Sequence, residues 1–314
     1  MLELLPCNPL PVSTTLDASL AAFLLSREAM RCTSKTLAHY RYTCGSFAAW
    51  LANDGVSDVT AITPAHVRAY LVSLQRRNLR DTTQHAHARG IKTWLAWLAA
   101  EGDLARSPMQ RVAMPKLEKR IPAPFSPDEV QRLLAACNRK TALGARDYAI
   151  CLTLLDTGLR VAEFASLRVG DIDARNGLAS VMGKGQKARQ VCVGAKARAA
   201  ILRMLAYRAG VKAGDALWAA YDAQGNEKGA LTAHGIQVML RRLGRKAGVE
   251  PCGPHRFRRT FALWCLRDGM DLYSLKLLMG HSTLTVLQRY LALAGEDVER
   301  AHRAHSPADK LLGA

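Results

Sequence analysis

Between positions 255 and 290 the chain carries four side chains able to do chemistry together: His255, Arg258, His281 and Tyr290. An imidazole can take up or deliver a proton, a guanidinium can hold an oxyanion, and a phenol attacks once its proton is removed. They lie in two motifs, PHRFRRTFALW and LMGHSTLTVLQRY. His255 and Arg258 are three apart, so one helical turn puts them on a shared face. Gly280 interrupts the apolar pattern of LYSLKLLM, and Ser282 can cap a new helix whose second or third turn carries Tyr290. Two helices can therefore bring all four groups to one point. Singly, each has a plainer use; a lone Tyr on an amphipathic helix is ordinarily a packing residue. Their meaning depends on partners elsewhere in the chain.

Two such partners are present. TGLRVAEFASL places Arg160 close behind Gly158, with Glu163 one turn later, and GKGQKAR sets Lys184 at the tip of an expected hairpin. Each again has a bland alternative: Arg160 and Glu163 form an ordinary i,i+3 ion pair, and GKG is a turn. GKG is not a P-loop. Five residues rather than four separate Gly177 from Gly183, and Gly185 rather than Ser or Thr follows Lys184.

The elements that must position these groups come from the rest of the chain. With 314 residues, two domains are expected. The apolar fraction of 49% suffices for real cores. A net charge of +18 points to a polyanion, nucleic acid ahead of membrane. The charge is uneven: 10 basic against 8 acidic residues over 1–103, 5 against 1 over 104–125, and 29 against 17 over 126–314. The eight cysteines are scattered without a CxxC pair, which excludes a zinc ribbon and suits reduced, buried thiols in the cytoplasm. MLELLPCNPL lacks the basic start of a signal peptide, and no apolar run is long enough to cross a bilayer.

Residues 1–14 read as an arm broken by Pro6, Pro9 and Pro11. Residues 15–103 hold four helical patterns, with caps read at Ser34, at Thr63 followed by Pro64, and at Asp81, and make a small all-α bundle. His85, His87 and Arg89 on its last helix face either phosphates or plain solvent. Residues 104–125 contain Pro108, Pro115, Pro122 and Pro124 and read as a basic, extended linker lying along something anionic. From 126 to 314 helices resume at Ser126–Pro127, enclosing a β-hairpin formed by ASVMGKG and ARQVCVG. ALWAAYDAQGNEKG has no clear pattern, and EDVERAHRAHSPADKLL reads as a short closing helix.

Taken in order, Arg160, Lys184, the H-x-x-R pair His255 and Arg258, the Gly-His at His281 and the late Tyr290 resemble the tyrosine recombinase (phage integrase) family, nearest its Xer-like bacterial members. The resemblance covers the whole chain, and five motifs in family order at family spacing make it specific. It implies a mainly α protein: an N-terminal four-helix, SAM-like core-binding bundle, then a mixed α+β catalytic domain with a small antiparallel sheet. It also implies Arg160, Lys184, His255, Arg258 and His281 as catalytic residues around the nucleophile Tyr290, with Glu163 supporting them from behind. Many relatives carry H-x-L-R-H-T where this chain has HRFRRT. Phe257 replaces a Leu and Arg259 a His outside the catalytic set, which leaves the chemistry intact and alters local DNA contact.

Those residue types suit phosphodiester cleavage. Charge grows on two non-bridging oxygens in the transition state, and two fork-shaped, permanently charged guanidiniums match it. Tyr290 conserves the bond energy as a 3′-phosphotyrosine, and Lys184 protonates the departing 5′ oxygen. Two proton routes stand open, through His255 or His281. The expectation is a site-specific recombinase needing no metal, ATP or other cofactor. It would act on double-stranded DNA at inverted-repeat sites, as a homo-tetramer on two sites or with a hetero-partner recombinase, in the bacterial cytoplasm at the nucleoid. A type IB topoisomerase or telomere resolvase would use the same cleavage without exchange, but the chain's Xer-like brevity argues against both. An architectural DNA-binding protein with a dead site is disfavoured, because all six positions hold competent residues.

Overall fold

The computed structural model describes residues 14–117, 123–173, 175–183, 188–222 and 224–280, together with His302, Ser306, Ala308 and Leu311. The expected N-terminal arm, the hairpin tip with Lys184, His281, the Ser282 cap, Tyr290 and nearly all of the closing helix lie outside the described residues. The chain divides into two compact units, Met1–Arg120 and Ile121–Ala314.

The first unit is built on four helices: α1 (Leu16–Ala29), α2 (Ser34–Asn53), α3 (Pro64–Arg76) and α4 (Asp81–Glu101). Phe23, Phe47, Leu51, Val67, Leu74, Ile91, Trp94 and Leu98 fill its core. Thr63 caps α3 as expected: its side chain accepts from the His66 N–H while Nδ1 of His66 accepts from the Thr63 N–H. Two other caps are corrected by one residue. Thr33, in extended backbone, is the N-cap of α2 and accepts from the Thr36 N–H, so Ser34 is already helical. Arg80 precedes α4 without a side-chain bond, and Asp81 is its first helical residue, where a carboxylate suits the positive end of the helix dipole. The proline-rich stretch is not extended throughout. Pro108–Arg111 is a 3-10 turn, and Leu104, Met109 and Val112 are buried in the first core, because three apolar side chains gain more from burial than an extended strand offers.

The second unit contains α5 (Pro127–Ala135), α6 (Ala142–Thr157), α7 (Val161–Ala165), β1 (Leu178–Met182), β2 (Ala188–Cys192) and α8 (Ala195–Leu205). It continues with β3 (Ala219–Tyr221), β4 (Glu227–Ala230), α9 (Ala233–Ala247), α10 (Pro254–Arg267) and α11 (Leu272–Met279). Ser126 and Glu129 form the expected capping box of α5. β1 and β2 make the expected antiparallel hairpin, with Val181 opposite Arg189 and Ala179 opposite Val191. The unpatterned stretch turns out to hold a second antiparallel pair, β3–β4. Its turn is organised by Asp222, whose carboxylate accepts from the Gln224 and Asn226 N–H groups.

Ile150, Leu154, Val181, Val191, Ile201, Met204, Leu240 and Phe257 belong to one core. Two contacts in it matter for the site. Phe164 of α7 stacks on Trp218 with ring centroids 4.6 Å apart, and the indole donates to the Phe164 carbonyl at 2.9 Å. A five-residue helix has too few internal hydrogen bonds to stand alone, so this stack is what fixes α7. Phe257 of α10 packs on Phe125 at 4.8 Å, and the Phe125 N–H donates to Oγ1 of Thr260. Cys44, Cys137, Cys151 and Cys252 are buried free thiols, and burial pushes Cys44 and Cys252 up to about 12. No helix among the described residues is long and apolar enough to cross a membrane.

Candidate active site

The site is assembled where two chain reversals meet. α6 ends at Gly158 in the left-handed conformation (φ 56°), and the chain turns so that Arg160 becomes the N-cap of α7. A side chain at Gly158 would strike the Phe261 ring at 2.3 Å, so both the backbone angle and the space require glycine. α11 likewise ends at Gly280 (φ 63°). Arg258 projects from the second turn of α10 into the gap between these two helix ends.

Arg258 is buried and donates through Nη1 to the Gly158 carbonyl and through Nη2 to the Met279 carbonyl at 2.8 Å. Arg160 donates through Nη2 to the next carbonyl, that of Gly280, at 2.8 Å. Carbonyls at a helix C-terminus lack intrahelical donors and carry the negative end of the dipole, which makes them natural seats for guanidiniums. Two arginines from distant parts of the chain thus grip the backbone immediately before His281.

Glu163 is 6% exposed and accepts four hydrogen bonds from described residues. One comes from the Arg160 backbone N–H at 3.1 Å and one from Arg160 Nη1 at 3.0 Å. The other two form a fork from Arg189, Nη1 to Oε1 at 3.0 Å and Nη2 to Oε2 at 2.9 Å. Burial alone would raise the carboxyl's pKa. The hydrogen bonds from Arg189 and from the Arg160 backbone, with the charge of Arg189, overcome it and hold the group below its ordinary 4.5. Among the described residues three guanidiniums share this cluster with one carboxylate, an excess of positive charge able to receive an oxyanion.

The structure therefore brings Arg160, Glu163 and Arg258 together on the last residues of α11. His255 sits one turn before Arg258, exposed where Arg258 is buried, beside a cavity of about 430 Å3 that Arg241, Arg256 and Arg259 also line. Arg256 is a structural residue: it donates to both oxygens of Glu129 and packs over Phe125. Arg189 was missed by sequence reasoning. A signal exists in the alternation Arg189-x-Val191-x-Val193, which puts an arginine on the buried face of the hairpin, where it needs a carboxylate. Among the described residues no group of His, Cys, Asp and Glu has the arrangement of a metal site.

The family model for the phage integrase family matches residues 124–296, a span that includes the whole cluster. The chain belongs to the phage integrase family. Tyrosine recombinase XerC of Xanthomonas campestris pv. campestris (strain B100) is 30% identical over 308 residues, 96% of this chain and 94% of the relative. XerC of Pelotomaculum thermopropionicum is 33% identical over 264 residues, 80% of this chain and 85% of the relative. Among solved structures, the Tn1549 transposon integrase in complex with a circular intermediate DNA has a TM-score of 0.72. At 19% identity, over 92% of this chain and 100% of that one, it shows a shared fold. The recombinase is thus a site-specific, Xer-like enzyme of DNA breakage and rejoining. Its mixed second unit, mostly helical with small antiparallel sheets, contains the span matched by the family model.

Proposed function

We propose that this recombinase cleaves double-stranded DNA with Tyr290 as nucleophile and with Arg160, Lys184, His255, Arg258 and His281 as the catalytic set. The phenolate oxygen of Tyr290 attacks the scissile phosphorus in line, the bond to O5′ breaks, and a 3′-phosphotyrosyl link forms. The phenol proton passes to His255 or His281, and Lys184 delivers a proton to the departing 5′ oxygen. Arg160 and Arg258 neutralise the non-bridging oxygens, so charge stabilisation comes from fixed guanidiniums. Attack by a 5′-hydroxyl on the phosphotyrosine reverses every bond change and rejoins DNA.

The convergence of Arg160 and Arg258 on the Met279 and Gly280 carbonyls carries this reading, since it aims two permanent charges at the chain just ahead of His281. Exchange requires two duplexes. We take the active form to be four chains on two inverted-repeat sites, in the bacterial cytoplasm, with the first unit and the basic stretch after it gripping the backbone. The Tn1549 transposon integrase, solved in complex with a circular intermediate DNA, supports DNA as the substrate.

The test is Tyr290→Phe on a nicked substrate that traps the covalent complex. The wild-type chain should give a denaturant-resistant adduct in the presence of a chelator. The Phe variant should give none while binding its site with nearly unchanged affinity, because only the nucleophilic hydroxyl is removed. An adduct formed by the Phe variant would move the nucleophile elsewhere, and loss of cleavage in EDTA that magnesium restores would overturn the metal-free chemistry.

A further inference from the structure

We propose that Arg189 is a positioning residue for cleavage: by holding both oxygens of Glu163 it neutralises that carboxylate and leaves the charge of Arg160 available to phosphate. The inference rests on the reading that Arg160 receives the scissile phosphate. It goes further by giving a task to a strand residue outside the catalytic set.

Glu163 is shared. Its Oε1 accepts from Arg160 at 3.0 Å and from Arg189 at 3.0 Å, and its Oε2 accepts from Arg189 at 2.9 Å. A carboxylate paired with one guanidinium makes a neutral couple, whereas two guanidiniums around it retain a full positive charge. Exposure decides where that charge is presented. The Arg160 side chain is 41% exposed and that of Arg189 only 18%, so an arriving phosphate meets Arg160. Without Arg189, Glu163 would turn its whole charge on Arg160 and compete with the phosphate for it.

Arg189 also closes a ring of contacts. A Cβ on Gly280 would lie 2.9 Å from its Cζ, so the guanidinium rests against the bare backbone of Gly280, whose carbonyl Arg160 holds from its own side. β2, α7 and the end of α11 are thereby joined through one buried carboxylate. β2 is the strand that leaves the Lys184 segment, so the same ring ties the start of β2 to Arg160. If Arg189 only fastened the hairpin to the core, its loss would lower stability and removal of Glu163 would not undo the damage.

The two roles separate in a double-mutant comparison on the full chain. Arg189→Gln, Glu163→Gln, the pair together and Arg189→Lys are compared by adduct rate on the nicked substrate, by site affinity and by Tm. Arg189→Gln should slow adduct formation by about tenfold or more, with affinity within about twofold of wild type. The double variant should recover most of that rate, because no carboxylate is left to cancel Arg160. Arg189→Lys, which keeps the charge and loses the fork, should fall between. An unchanged rate in Arg189→Gln, or a double variant as slow as the single one, overturns the proposal. Should Arg189→Gln fail to fold, Glu163→Gln and the double variant still decide it, since with no carboxylate left the proposal requires the two to form adduct at similar rates. If the wild-type chain forms no adduct, the Tyr290 reading falls and this inference with it; a wild-type adduct with unaffected variants sinks this inference alone.

Discussion

His87 in the first unit and Glu163 in the second are both buried ionisable groups whose pKa values are lowered, and the physics behind the two is opposite. His87 is 2% exposed, shares a single described side-chain hydrogen bond with the Tyr70 hydroxyl (3.0 Å), and lies edge-on to the Tyr42 ring. Burial disfavours its cation and, aided by the nearby charge of Arg77, pushes it below 6.5. Glu163 is charged in spite of burial, because four donors solvate it better than the core penalises it. His87 is thus a neutral core side chain with a polar handle, while Glu163 is the anionic hub of a charged site. A shifted pKa alone does not distinguish the two; the number and charge of the partners does.

The largest expected effect comes from deleting the hub. Glu163→Ala leaves the half-buried Arg189 with neither carboxylate oxygen, and breaking such a pair should cost about 3 kcal/mol in a urea melt. A loss no greater than that of a surface substitution would show that the hub is not a coupled network. Next comes Gly280→Ala, which demands a left-handed alanine and drives a methyl against the Arg189 guanidinium. It should cost about 1–2 kcal/mol and slow adduct formation as well. His87→Leu should cost about 1 kcal/mol, chiefly the hydrogen bond to Tyr70, while leaving adduct formation unchanged. If the rate fell as it does around Glu163, the contrast between core histidine and charged hub would fail.

Acid should sharpen the same comparison most gently. The folded value of His87 lies below 6.5, so between the two values the unfolded chain binds the extra proton. The contribution of His87 is therefore full above 6.5 and declines as pH falls below it. Glu163 has the same sign in a lower window, full above 4.5 and lost as pH falls from there through the folded value. Hydrogen exchange read separately on α4 and α7, at about pH 7.5, 5.5 and 3.5, should show protection falling first in α4 and only at the lowest pH in α7. Simultaneous loss in both would mean that other groups govern acid unfolding.

What the sequence made legible depended on local physics. Thr63–Pro64 and Ser126–Pro127 announce helix starts because cap chemistry acts within four residues, and β1–β2 was visible through its alternation around a glycine turn. The Arg160–Glu163 pair also followed from its i,i+3 spacing and is present. The pair β3–β4 was not legible, since β4 is exposed along its whole length and carries no burial pattern to read.

By itself, then, the sequence determined the helices, one hairpin, the residue types of the site and their order along the chain, all properties set by neighbours within a few positions. Tertiary structure alone decided that Glu163 serves two arginines, that Arg189 is one of them, and that Arg160 and Arg258 seat on the end of α11. These contacts join residues 26, 120 and 21 positions apart. Such contacts depend on where α7 is held by Phe164 on Trp218 and on how Gly158 and Gly280 turn the chain, and packing at those points has no local signature in the sequence.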